Sequence, residues 1–236
     1  MALTARMPKY YVVKQELLRL IDQAAVGAAL PTGRELAERF ATSRTTVRQA
    51  IAELVVEGRL ERTQGSGTYV AEPKLIQLRQ LNSFTEDLAG RSGDVRSEVL
   101  DISRIPATAE VAAALGLVEG VRVLRVERLR IVSREPIAHE IAHLADSYPR
   151  LASELASRGS LYLTLSQAYD VEIVAAEDVV ETAMASPEEA RLLTVEPGLP
   201  MLLIQRTAWD RAGRPVEYTR SVFRGDRFRF VARFRR

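Results

Sequence analysis

One stretch of this 236-residue chain occurs twice. PATAEVAAALGLVEGVRVLRVERLRIV, from Pro106, returns in weaker form as ASPEEARLLTVEPGLPMLLIQRTAWD, from Ala185. Thr108 maps on Ser186, Gly120 on Gly198 and Arg128 on Arg206, at a constant offset of 78, and one extra residue in the second copy carries Pro136 onto Pro215. Each copy reads as a helix started by a Ser/Thr cap, then a long strand, a turn and a returning strand; Pro187 and Glu189 strengthen the second start. Two such units need a shared sheet to bury their apolar faces, and two copies are too few for a solenoid. The repeat therefore predicts an antiparallel sheet backed by helices, an α+β domain. A short helix near Phe84 to Ala89, helices around Arg150 to Ala156 and Leu161 to Tyr169, and a strand around Glu172 to Thr182 complete it.

Ahead of the repeat the pattern is helical. Tyr10, Val13, Leu17, Leu20, Ile21 and Ala24 recur at spacings of three and four, the mark of an amphipathic helix from Lys9 to about Ala24. After the break GAALP, Thr32-Gly-Arg-Glu35 is a capping box for a short second helix with Leu36, Ala37 and Phe40 buried. Ala41 and Thr42 turn the chain into a third helix, capped by Ser43 and ended by Gly58, with Val47, Ala50, Ile51, Leu54 and Val55 facing inward. Leu60 to Thr63 and Thr68 to Ala71 read as short strands joined by Gln64-Gly-Ser-Gly67, whose glycines permit positive φ. Three helices and a hairpin make a winged helix-turn-helix.

The third helix concentrates cations and hydroxyls in its first turns, where the macrodipole favours anionic side chains instead. Arg44, Thr45 and Arg48 stand on its outer face, an arrangement suited to an external anion. In a winged domain this helix probes the major groove. Arginine supplies bidentate donors to guanine or phosphate, hydroxyls and the helix N-terminus take phosphate oxygens, and the glycine-rich tip enters the minor groove. Surface arginines are ordinarily just a solvated face; here helix order, capping, turn and wing agree on the DNA-facing reading. Total charge does not carry it, since the chain is only +2 and has ten basic against eight acidic residues before Pro73.

With 47% hydrophobic residues the chain can build two cores, and with no cysteine it has neither disulfides nor a thiolate nucleophile. No segment reads as a signal peptide or approaches ~18 apolar residues, so the expectation is a soluble, cytoplasmic protein. The only two histidines fall in His139-Glu140-Ile-Ala-His143, a spacing that on a helix gathers two zinc ligands and a general base. A zinc-dependent hydrolase using His139, Glu140 and His143 is thus the rival reading. The segment, however, follows the turn Ser133-Arg-Glu-Pro136 as the return strand of a hairpin. On a strand His139 and His143 share one face while Glu140 takes the other, so neither metal centre nor enzyme is expected. Arg128 and Arg130 share a strand face, where two guanidiniums need either a bound anion or carboxylates such as Glu140 or Glu217 between them.

Residues 10 to 72 resemble the DNA-binding domain of GntR-type bacterial repressors: LPTGRELAERFATSRTTVRQAIAELVVEGRLERTQGSGTYV follows that pattern almost throughout. Residues 75 to 236 resemble the UTRA ligand-binding domain of the HutC branch, a chorismate-lyase-like α+β fold. Met7-Pro-Lys-Tyr-Tyr11, Ser83-Phe-Thr-Glu-Asp87 and Ser221-Val-Phe-Arg-Gly-Asp226 look most like the amino-sugar regulators of that branch. The resemblance implies a homodimeric, effector-responsive repressor without a cofactor. Its DNA-binding domain would span 1–72, a linker 73–82, and an effector-binding and dimerisation domain 83–236. DNA contacts would come from Arg34, Arg44, Thr45, Thr46, Arg48 and Gly65. The effector, glucosamine-6-phosphate or N-acetylglucosamine-6-phosphate, would be held by Arg128 and Arg130. Ser83, Phe84 and Thr85 at one helix start, Ser160 and Tyr162 at another, and Glu140 and Glu217 on the sugar ring would complete the contacts. Urocanate, trehalose phosphate and phosphonates are the alternative effectors. Two positions depart from the family pattern: Gly33 replaces its glutamate, and Phe223 replaces a tyrosine and loses its hydroxyl.

Overall fold

The apolar period that begins at Lys9 folds as α1 (Lys9–Asp22), which turns Val13, Leu17 and Ile21 inward. The computed structural model describes residues 7–63, 65–78 and 94–231. They fall into two units, one running to Lys74 and including Gly225–Arg227, the other Leu75–Arg224 with the chain from Phe228. In the first unit α2 (Gly33–Arg39) opens on the capping box: the Thr32 N–H donates to the Glu35 carboxylate at 2.7 Å, and the Glu35 N–H to the Thr32 hydroxyl at 3.3 Å. In α3 (Arg44–Val56), Ser43 Oγ accepts from the Thr46 N–H at 3.1 Å, and Gly58 leaves the helix at a φ of +66°. Leu17, Leu36, Val47, Ala50 and Leu54 form the core of the three helices. Lys14 ties α1 to α3, its Nζ donating to Glu53 at 2.8 Å and Glu57 at 2.5 Å, bonds that push its pKa up to about 12.

The wing is β1 (Leu60–Thr63) antiparallel to β2 (Gly67–Val70), with Arg62 opposite Thr68. The segment read only as a break before α2 lies along the free edge of β2. Val70 N–H donates to Ala28 C=O at 2.9 Å and Leu30 N–H to Thr68 C=O at 2.8 Å, so the edge is covered.

In the second unit β4 (Val95–Pro106), α4 (Ala109–Leu115), β5 (Arg122–Val132) and β6 (Glu135–Ala145) form one copy of the repeat. After α5 (Leu151–Arg158) and α6 (Leu161–Tyr169), the second copy follows as β7 (Ile173–Met184), α7 (Pro187–Leu193), β8 (Pro200–Asp210) and β9 (Pro215–Arg224). All six strands join one antiparallel sheet in the order β4-β5-β6-β9-β8-β7. The order is palindromic, so within the sheet the copies pair only along β6 and β9, from Ala138 opposite Phe223 to Leu144 opposite Glu217. Three strands lay outside the sequence reading. β4 is an edge strand whose apolar residues follow no strict alternation that would betray it, and β3 (Leu75–Leu78), inside the expected linker, pairs in parallel with β10 (Phe228–Val231). The helix expected near Phe84 to Ala89 lies outside the described residues.

The faces of the sheet are covered differently. α4 packs on Val123 and Tyr218, and α7 on Leu129, Ile131 and Val222, all on one face. On the other, α5 and α6 cover Leu124, Val126, Ala142 and Leu144 at one end, while Leu75 and Phe228 cover Val132, Ile137 and Phe223 at the opposite end. Strand alternation along β5 then puts Arg128 and Arg130 between these two apolar clusters.

Candidate nucleic-acid interface and sensor site

The outer face of α3 is cationic from its first turn, which holds no acid. Arg44, Thr45 and Arg48 are exposed; Thr46 is half-buried and its hydroxyl is bonded to Ser43 Oγ at 2.8 Å. Arg34 on α2 is exposed and pairs with Glu38 at 3.1 Å. At the wing tip Gly65 has a φ of +74°, and a Cβ there would meet no atom within 4 Å, so its backbone stands open to approach. Arg34, Arg44, Arg48, Arg62 and Thr68 line a groove of about 450 Å³ between the helices and the wing, and no acid lines it. Arg62 was missing from the sequence reading. The alternation of β1, which sets Arg62 on one face and Glu61 on the other, was the signal available.

In the second unit Arg128, 1% exposed, donates through Nη2 to Glu140 Oε1. Arg130 donates to the same carboxylate from Nη2 at 2.7 and 2.9 Å and from Nε at 3.2 Å, and also to Ser97. The pair of arginines thus encloses Glu140. Burial alone would raise the pKa of this carboxyl; the two guanidiniums reverse the effect and hold it down at about 2. Burial and the neighbouring Arg128 in turn lower Arg130. Glu217 takes a different partner, the Tyr162 hydroxyl at 2.9 Å, and burial together with the charge of Glu140 pushes its carboxyl upward. Nε and Nη1 of Arg128 are buried with no hydrogen-bond partner among the described residues. Leaving such donors unmet is costly, more so on a cation. At the matching position of the second copy, Arg206 is spent on a forked pair with Asp178 at 2.8 and 2.9 Å.

Ser160 is buried at the start of α6 and its hydroxyl accepts from the Leu163 N–H at 3.3 Å, so it serves the helix first. Ser83, Phe84 and Thr85 lie outside the described residues. The two histidines sit on the face opposite Glu140. His139 Nε2 is bonded to Glu127 at 2.7 Å, and His143 stacks on Tyr218. The three residues of the zinc-like spacing therefore diverge, and among the described residues no group of three His, Asp or Glu could hold a metal ion. No helix among them is long and apolar enough to cross a membrane.

Residues 9–70 match the family described as bacterial regulatory proteins, gntR family, and residues 90–229 match the UTRA domain. The HTH-type transcriptional repressor NagR of Bacillus subtilis is 36% identical over 95% of this chain and 94% of its own length. The histidine utilization repressor of Pseudomonas putida is 34% identical over 99% of this chain and 96% of its own. The HTH-type transcriptional repressor PhnF of Mycolicibacterium smegmatis is 34% identical over 96% and 93%. The crystal structure of PhnF from Mycobacterium smegmatis superposes with a TM-score of 0.66 at 32% identity, covering 94% of this chain and 99% of that one.

Proposed function

The chain belongs to the GntR family of bacterial regulatory proteins, carries a UTRA domain and is a ligand-responsive transcriptional repressor rather than an enzyme; on that premise we propose that it is a homodimer whose grip on operator DNA is released by an amino-sugar phosphate. Arg44, Thr45, Thr46 and Arg48 enter the major groove, Arg34 holds an adjacent phosphate and Gly65 brings the wing tip against the minor groove. Two subunits place two such helices on related half-sites of a two-fold operator.

The effector is glucosamine-6-phosphate or N-acetylglucosamine-6-phosphate. The observation that carries this reading is the pair of uncommitted nitrogens, Nε and Nη1, on buried Arg128 beside Arg130. A phosphate accepts from both guanidiniums, while Glu140, Glu217 and the Tyr162 hydroxyl face sugar hydroxyls. Ser160, together with Ser83, Phe84 and Thr85, completes the ring of contacts in this reading. Release follows if the effector prefers the arrangement that binds DNA less well, a coupling that typically shifts affinity some 5- to 150-fold, and operator DNA weakens the sugar phosphate by the same factor.

Titration calorimetry with both sugar phosphates, paired with competition against the operator, tests the reading. Arg128→Ala is expected to keep operator binding and lose the response. No heat with either sugar phosphate, alongside a clear signal for urocanate, overturns the effector class and leaves the regulator standing.

A further inference from the structure

The groove between α3 and the wing holds a cation that reading the recognition helix does not use. Arg62 is exposed on β1, and its cross-strand partner Thr68 lines the same groove. Arg34 has a carboxylate partner in Glu38, whereas Arg44, Arg48 and Arg62 make no ion pair among the described residues. Nor can the wing neutralise Arg62 itself, because Glu61 and Thr63 alternate to the other face of the strand. Cations gathered around one groove repel one another unless an anion enters it.

The geometry of the duplex specifies which anion. With α3 in the major groove and the wing tip in the neighbouring minor groove, the backbone dividing the two grooves must pass between helix and wing. We propose, on the strength of the operator-binding reading, that Arg62 and the Thr68 hydroxyl clamp a phosphate of that dividing backbone. The planar guanidinium presents paired donors to two phosphate oxygens and the hydroxyl donates to one of them. A contact of this kind holds the wing in register and adds affinity, while carrying no sequence information.

The test uses the full chain and two DNA probes, a random-sequence duplex pool and the duplex that the wild-type protein enriches from it. Arg62→Gln is expected to weaken both about 10-fold, leaving their ratio unchanged, and to reduce the slope of log affinity against log salt by about 1. Arg62→Lys, which keeps the charge, is expected to retain the wild-type slope. It also provides the comparison should the glutamine variant fail its circular-dichroism check. A loss confined to the enriched duplex would make Arg62 a base reader and overturn the proposal, as would unchanged affinity for both probes or a slope that Arg62→Lys also lowers. If the wild-type protein enriches no duplex at all, the operator reading fails and takes the clamp with it; enrichment with an indifferent Arg62 removes the clamp alone.

Discussion

Replacing Glu140 with glutamine removes a negative charge from between two buried guanidiniums and keeps the volume of the side chain. The wild-type carboxyl is held at about 2. Against an ordinary value near ~4.3, linkage assigns its ionised form ~3 kcal/mol of stability. Removing one partner of a buried ion pair independently costs ~3 to 5 kcal/mol, so both routes point to about 3 kcal/mol. The chain has one tryptophan, Trp209 on β8, so its fluorescence reports unfolding of the sensor unit alone. With a urea dependence of about 2 kcal/mol per molar, Glu140→Gln should lower the midpoint at pH 7 by about 1.5 M. The pH dependence fixes the sign. A carboxyl with a lowered folded-state pKa contributes stability above its unfolded pKa and loses it as the pH falls towards the folded value. The wild-type advantage should therefore shrink from about pH 4.3 down to pH 2, where the two proteins converge. A midpoint difference below about 0.3 M at pH 7, or an advantage that persists unchanged at pH 2, would refute this account of the cluster.

Three further outcomes can be checked. The Arg44→Ala/Arg48→Ala double variant should lose operator binding with its circular dichroism intact, each arginine contributing ~1 to 3 kcal/mol if it reads a base; retained binding removes both from the interface. Lys14→Ala removes the cation that ties α1 to α3, and because Glu53 and Glu57 are partly exposed to water it should destabilise the first unit by only ~1 kcal/mol in chemical denaturation; an unchanged midpoint would show that the triad adds nothing. Thr194 ends α7 at a φ of 55°, where its counterpart in the first copy is Gly116 at 63°. A β-branched residue is strained there, so Thr194→Gly should stabilise the sensor unit by ~1 kcal/mol, and a loss of stability in the same urea assay would refute the strain.

The first unit was legible because its signals are local. A capping box, a serine cap, a terminating glycine and a period near 3.6 lie within a few residues of what they control. The repeat made the central sheet legible too, since an offset of 78 relates two strand pairs before any contact is known. β4 escaped because an edge strand needs no apolar run, and β3 and β10 escaped because each finds its partner across more than a hundred residues. The H-E-x-x-H spacing was resolvable from the turn at Pro136 before it. Whether Arg128 and Arg130 faced an anion or an internal carboxylate could not be read from their spacing. That depended on the register setting Arg128 opposite Glu140, a tertiary fact that puts a carboxylate between the arginines and still leaves one guanidinium edge unmet. Arg62 was overlooked for a similar reason: its alternation is local, but the groove it lines is not.

The seam between β6 and β9 joins two copies of one design whose charges have diverged. Arg206 is silenced by Asp178, while Arg128 keeps donors free. Geometrically, a near-symmetric scaffold would admit a guest in either of two orientations. Electrically the two would differ, because an anionic end would meet an unsatisfied cation on one side of the seam and a neutralised one on the other. Divergence of the two copies has thus given the sheet a polarity that its outline lacks, and on the proposed reading an anionic effector lying across the seam would be read head from tail.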